Sequence, residues 1–326
     1  MAALALSACS DSSTSASRVK YNMAWLPQGS QIGVIAAIDK GFYKAAGIEV
    51  EPVRGFGGIR TVNEIDQGMF EFGYGDPVAV ALNRANGGGA RMISVINQHW
   101  PAGLCFISGR HRLTQPADLA GLKVGGGQNS PVQALLPVWL SRNGVDPKTV
   151  QILQLNPSVI VASLIEGRID AAECWRGNSW PQFQKEARRA GLALDWLEYG
   201  KFNLDIYGSG LVTSDKLIHD NPGLVRKFAA ATLQGYHYAI DHPVEARQML
   251  LAHFPMLDSG ITDAQIHELA DLMRTPDAAG GIDPGKMERT YAFIAAGYPL
   301  KGKVTPGDLY APGFAVDDHR NTGATP

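Results

Sequence analysis

The chain has 326 residues, with 29 Lys and Arg against 31 Asp and Glu, so its net charge is −2 with histidine neutral. That balance gives no electrostatic case for nucleic acid or an anionic membrane surface. At 45% hydrophobic and 18% charged residues it is a globular chain rather than a disordered one, long enough for one large domain or two modest ones.

The opening reads as a targeting segment. Leu6-Ser7-Ala8-Cys9 resembles the lipobox that ends a bacterial lipoprotein signal, with Cys9 the residue that takes the lipid. Ser10 to Ser17 is then a flexible tether, so residues 1–17 stand outside the fold. No Lys or Arg precedes the apolar run, which is short; the alternative is a disordered N-terminus with a chance cysteine. On the first reading the protein works at the periplasmic or extracytoplasmic face, touching the membrane only through its lipid. No apolar run is long enough for a spanning helix.

From Arg18 onward strand signals alternate with helix signals. Val19 to Trp25 is a β-like run, followed by Gln28-Gly29-Ser30 and a helix with Ser30 as its expected N-cap. Ile48 to Val53 is the next strand, Ile59 to Gln67 a helix stopped by Gly68, Met69 to Tyr74 a strand, Pro77 to Arg84 a helix and Arg91 to Ile96 a strand. The order then restarts: strand Lys123 to Gly125, a helix from Ser130 to about Arg142, strand Val150 to Leu155, helix Pro157 to Glu166 and strand Ile169 to Trp175. After Ser214 the signals are helical: Asn221 to His242, Pro243 to His253, Thr262 to Met273 and Pro284 to Ala296. Pro222 and Pro243 fit first-turn positions. Alternating strands and helices predict an α/β fold with parallel sheets.

One internal match stands out. Ile65-Asp66-Gln67-Gly68-Met69-Phe70-Glu71-Phe72-Gly73 lies over Leu164-Ile165-Glu166-Gly167-Arg168-Ile169-Asp170-Ala171-Ala172. Both read as helix end, glycine stop and strand, which predicts two similar α/β lobes.

Several stretches then resemble a known family. Trp25-Leu26-Pro27 and the run Ala36 to Val50 look like the opening of ABC-importer solute-binding proteins for nitrate, sulfonates, taurine and the thiamine pyrimidine. Gly73 to Pro77, Asp118 to Gly125, Glu166 to Ala172 and Tyr207 to Ser214 match further motifs in order. The resemblance implies a type II periplasmic binding-protein fold, with a hinge and an interlobe cleft. Lobe one is expected at residues 18–103 and 210–326, including the C-terminal helices, and lobe two at 104–209, with crossovers near Leu104 to Ser108 and Ile206 to Val212. Ligands of open α/β sheets sit beyond the carboxyl ends of the strands, so those ends should face each other across the cleft.

That placement nominates the site. Trp25 can stack a planar ligand or cover core, and Gln28 and Gln31 can hydrogen-bond ligand or stand as exposed caps. Arg54-Gly55-Phe56-Gly57-Gly58 lacks dinucleotide spacing but offers backbone N–H groups around Gly57. Tyr74 and Asp76 end the third strand, with Asp76 either an N-cap or a ligand acceptor. Gln98-His99-Trp100 is read as the end of the fifth strand of lobe one, where Trp100 can line a cleft. Gly125-Gly126-Gly127-Gln128-Asn129-Ser130 is the strongest candidate: Gly126 and its neighbours let backbone approach a ligand, and Gln128, Asn129 and Ser130 lead into a helix start. Glu173 and Trp175 share one direction of their strand, with Arg176 able to neutralise Glu173, and Tyr207 lies on the return crossover. Three cysteines make no disulfide framework; Cys105 and Cys174 can pair in an oxidising compartment, but two buried thiols are the expectation. There is no HxxxH or CxxC spacing, and no metal or cofactor is expected.

Five aromatics (Trp25, Tyr74, Trp100, Trp175, Tyr207) and two acids suit a planar or nitrogen-containing organic ligand, thiamine-pyrimidine-like or otherwise heteroaromatic, with an organosulfonate second. The expected protein is not an enzyme. It is a monomer that presents its small-molecule ligand to an ABC permease of the inner membrane. The alternatives are a ligand sensor for a membrane receptor, or an enzyme resembling the pyridoxal-phosphate-dependent pyrimidine synthase of the same fold. The synthase has a lysine near the end of the third strand and a histidine four residues on, where this chain has Gly75 and Ala79, and a cysteine cluster that this chain lacks.

Overall fold

In a computed structural model the structure describes residues 16–128, 130–274, 280–298, 300 and 304–314, with side chains 131–134 excepted. Cys9 and Asn129 therefore lie outside the described residues. The first sheet is built from β1 (Ser17–Asn22), β2 (Ile48–Val53), β3 (Phe72–Gly75) and β4 (Ala90–Val95), connected through α1 (Ile32–Asp39), α2 (Phe42–Ala45), α3 (Gly58–Asp66) and α4 (Pro77–Ala85). The second contains β5 (Ala102–Ile107), β6 (Lys123–Gly127), β7 (Gln151–Leu155), β8 (Ala171–Trp175) and β9 (Leu194–Glu198), with α5 (Pro131–Arg142), α6 (Ile160–Ile165) and α7 (Ser179–Arg189). The chain then returns through β10 (Gly210–Ser214) and ends in α8 (Asp215–Asp220), α9 (Pro222–Asp241), α10 (Pro243–His253), α11 (Ser259–Met273) and α12 (Pro284–Ala295).

The two sheets share one plan. Their orders are β2-β1-β3-β10-β4 and β7-β6-β8-β5-β9. In each, four strands run parallel and a fifth is inserted antiparallel in the fourth place. The sheets are therefore mixed rather than purely parallel. The inserted strands, β10 and β5, are the ones by which the chain enters each sheet from the other. Leu104 to Ile107 is accordingly not a crossover but part of β5, paired with β8 and β9; the chain passes between sheets at 96–101 and 199–209. The internal sequence match falls on equivalent places: Gly68 and Gly167 end α3 and α6 at φ 74° and 76°, and the strands that follow are β3 and β8.

Under the first sheet α9 presents Phe228, whose ring stacks on Phe72 at 3.9 Å and on Tyr43 at 5.2 Å. All three rings are fully buried or nearly so, in a core continuous with α1, α10 and α11. The C-terminal segment covers the edge of β4: Met92 N–H donates to Leu309 O, Ala311 N–H donates to Met92 O, and Arg91 donates to Gly307 O and Tyr310 O. A covered edge offers no template for a second chain. Among the described residues no helix is long and apolar enough to cross a membrane.

Cys105 and Cys174 form a disulfide, correcting the expectation of two thiols. They sit diagonally on the paired strands β5 and β8, with Cα atoms 5.7 Å apart, inside the usual disulfide range. Both are fully buried beside Ile107, Ile169 and Phe183.

Candidate functional site between the lobes

The first wall begins where β1 ends. The strand stops at Asn22, short of the expected Trp25, because Asn22 Oδ1 accepts from Ala24 N–H and from the Thr61 hydroxyl, turning the chain. Ala24 is held at φ 62°, in the left-handed region that costs a non-glycine residue about 1–3 kcal/mol. The loop after β2 holds it there: Gly57 N–H donates to Ala24 O (2.8 Å) and Gly55 N–H to Trp25 O (3.0 Å). A Cβ on Gly55 would collide with the Ala24 backbone. Two N–H groups of the Arg54–Gly58 loop, those of Gly55 and Gly57, are thus spent on fixing the turn that presents Trp25. Phe56 projects outward, 48% exposed, between the guanidinium groups of Arg54 and Arg60.

Gln28 to Gln31 also differ from expectation. Gly29–Gln31 winds a 3-10 turn before α1, and Ser30 caps nothing. Gln28, Ser30 and Gln31 are buried rather than exposed. Gln31 Oε1 accepts from Tyr21 OH (3.3 Å), while Gln31 Nε2 and Ser30 Oγ have no partner among the described residues. Buried polar atoms without partners are costly, so these two are suited to a ligand's polar groups.

At the end of β3, Tyr74 is buried and its hydroxyl accepts from Asn97 Nδ2 (3.1 Å); burial pushes its pKa up to about 12. Asp76 does cap α4, with Oδ1 accepting from Val78 and Ala79 N–H at 3.0 Å each. Its Oδ2 lies next to Gly58, where a Cβ would come within 3.0 Å. Burial raises the Asp76 carboxyl to about 6, against the pull of the two N–H donors.

The second wall is centred on Glu173, in β8, 7% exposed. Its Oε1 accepts from Ser130 Oγ and Trp175 Nε1, and Oε2 from Gly127 N–H (3.2 Å). Glu173 and Trp175 thus do share a side of the strand. Burial raises the Glu173 pKa, offset in part by those three donors. Arg176 does not neutralise it: its Nε donates to Glu268 Oε2 at 2.7 Å. The Trp175 ring lies 5.2 Å from Trp100, which is 3% exposed and whose Nε1 has no acceptor among the described residues. Tyr199, fully buried, carries a hydroxyl with no partner among those residues and feels the Glu173 charge. Sequence reasoning missed Tyr199 and Asn97; neither stands in a motif, and only the folded crossovers bring them here.

The walls meet at Trp25 and Gly127. Trp25 Cη2 lies 3.5 Å from where a Gly127 Cβ would be, so the glycine leaves room for an indole from the other lobe. Gly126 is buried within β6, in register with Gln154, whereas the Gln128 side chain is exposed and its N–H donates to Leu155 O. Tyr207 is buried in the same apolar cluster as Trp100 and Tyr199. Its hydroxyl accepts from Asp283 N–H (2.7 Å) and its ring lies under Lys286, in an open hollow of about 440 Å³ shared with His99 and Asp205. Neither Asp76 nor Glu173 has a Lys or Arg partner among the described residues. No cluster of three His, Cys, Asp or Glu able to hold a metal occurs among them.

Two lobes of one plan, with polar and aromatic groups converging between the ends of their sheets, define the architecture of a two-lobed small-molecule binder. The chain belongs to the NMT1/THI5-like family, whose model matches residues 28–246. It is 21% identical to the formylaminopyrimidine-binding protein of Halalkalibacterium halodurans, over 90% of this chain and 89% of that one. It is 20% identical to the 4-amino-5-hydroxymethyl-2-methylpyrimidine phosphate synthase THI13 of Saccharomyces cerevisiae, over 77% and 75%. Its fold is similar to that of the periplasmic aliphatic sulphonate binding protein SsuA of Escherichia coli, with a TM-score of 0.72 at 16% identity, covering 92% and 94% of the two chains.

Proposed function

We propose that this chain is an extracytoplasmic solute-binding protein of an ABC importer, and that it captures a planar, nitrogen-bearing heteroaromatic molecule by closing its lobes. The observation that carries the ligand class is the pairing of buried carboxyls with indoles and no cation. Glu173 accepts from Trp175, whose ring packs on Trp100, Asp76 lies in the opposite wall, and neither acid meets a Lys or Arg among the described residues. Carboxyls accept from ring N–H and amino groups, indoles stack on flat faces, and an oxyanion would be repelled. The likeness to a formylaminopyrimidine-binding protein supports the same class. Lobe one, up to the crossover at 96–101 and again from β10, would then swing against lobe two, from β5 to β9.

The test is a thermal-shift panel on protein stripped of ligand by partial unfolding. It includes 4-amino-5-hydroxymethyl-2-methylpyrimidine, its formylamino analogue, alkanesulfonates and nitrate. A binder at a hundred times its Kd adds about 2.7 kcal/mol. The shift is expected with the pyrimidines and is expected to vanish in Trp175→Ala. Tight binding of nitrate or a sulfonate alone overturns the ligand class.

The likeness to THI13 keeps an enzymatic reading in view, and one observation weighs against it. At Gly75, the place of the synthase lysine, a Cβ would fall 2.6 Å from Val212 Cγ2, so no longer side chain fits without a shift. A Schiff-base absorbance band on adding pyridoxal phosphate would restore that reading. Lipidation of Cys9 and the monomeric state belong to the same proposal, and mass spectrometry of the membrane fraction and light scattering of the soluble chain test them.

A further inference from the structure

Both walls of the cleft rest on one turn of α11. Gly29, in the segment after Trp25, lies so close to α11 that a Cβ there would collide with Gln265. Gly177, two residues after Trp175 and at φ 67°, lies against the same turn, its Cβ position 3.6 Å from Gln265 O and from Leu269 N. α11 is part of the first lobe's core through Ile266, Leu269, Ala270 and Met273, and it also reaches α7 of the second. Between the two glycines the Gln265 side chain, 5% exposed, uses both ends of its amide. Oε1 accepts from Gly29 N–H at 2.8 Å, and Nε2 donates to Asn178 O at 2.7 Å. Arg176, on the second lobe, adds its ion pair to Glu268 on the next residues of the same helix face.

We propose that Gln265 is a positioning residue that couples the Trp25–Gln31 wall to the Trp175–Asn178 wall, so that the two halves of the cleft are ordered together. This rests on the capture reading above, because coupling matters only if both walls hold one ligand. An amide suits the role: it is a donor at one end and an acceptor at the other, so each wall is held by the group its own backbone lacks. Ordering one wall then lowers the entropy cost of ordering the other.

Hydrogen exchange on the ligand-free protein tests this without any ligand, so failure of the pyrimidine panel leaves the test intact. Gln265→Ala is expected to speed exchange about five- to tenfold in both 25–31 and 176–180, the loss of one hydrogen bond on each side. Gln265→Glu keeps the acceptor for Gly29 N–H and loses only the donor to Asn178 O, so coupling predicts faster exchange at 25–31 as well as at 176–180. Two walls held independently would lose protection at 176–180 alone. Faster exchange confined to α11, or confined to 176–180 in Gln265→Glu, overturns the proposal.

Discussion

Replacing Asp76 with asparagine should make the protein more stable, and only above a defined pH. The carboxyl is 3% exposed, and burial lifts it from 3.8 to about 6. Between about pH 4 and pH 6 the folded protein keeps a proton there that the unfolded chain has released. Folded-state stability therefore falls as pH rises through that window, and the lost part stays lost above it. Two pKa units at 1.36 kcal/mol each make about 3 kcal/mol an upper estimate. The amide introduced by Asp76→Asn cannot titrate, and it keeps an Oδ1 to accept from Val78 and Ala79 N–H, so the cap on α4 survives. The stability difference between Asp76→Asn and the parent should rise by up to about 3 kcal/mol from pH 4 to pH 7.5, then level off. Urea unfolding of both proteins at half-unit pH steps measures it, with slowly varying groups elsewhere cancelling in the difference. A difference that is flat across that range, or that falls, would show that the carboxyl is solvated and that this wall of the cleft is wetter than described.

Three further outcomes are expected. Removing the disulfide by Cys105→Ala with Cys174→Ala opens a 69-residue loop and should cost about 4 kcal/mol in chain entropy, read as a lower urea midpoint; no change in midpoint on reduction of the parent would refute it. Phe228→Ala removes the ring stacked on Phe72 and Tyr43 and should destabilise by about 3–5 kcal/mol, whereas a cost under about 1 kcal/mol would mean that the core refills the space. Gly127→Ala should be tolerated, since Trp25 lies 3.5 Å from the added carbon, but Gly127→Leu should force the indole out. Its tryptophan fluorescence should then shift to the red without loss of helical circular dichroism, and an unshifted spectrum would place Trp25 elsewhere.

Much of the fold was legible because it is written locally. The glycine stops at Gly68 and Gly167 need positive φ, and that requirement shows in sequence as a repeated helix–Gly–strand phrase. The inserted strands β5 and β10 were not legible in the same way, since nothing within Ala102–Ile107 or Gly210–Ser214 says which partners they will meet. In the site, the sharing of one strand face by Glu173 and Trp175 follows from a period of two, and the structure joins them. Ser30 was misread because a serine after glycine looks like a cap, while here Gly29 to Gln31 wind into a buried 3-10 turn. The cysteine pair escaped because its proximity depends on the register of β5 against β8. Gln265 gave no signal at all: a glutamine inside a helix has the pattern of a surface residue until two loops close over it.

The insertion of β10 between β3 and β4 sets an order of assembly. The second sheet is contiguous in the chain, from Ala102 to Glu198, and can close as soon as that stretch is made. The first sheet is begun earlier and finished later, because its centre stays open until residues 210–214 arrive. At ribosomal rates of about 5–20 residues per second, β4 is made roughly 6–23 s before the strand that joins it to β3. The half of the protein that is made first is thus the half whose sheet is completed last, on whichever side of the membrane the chain folds.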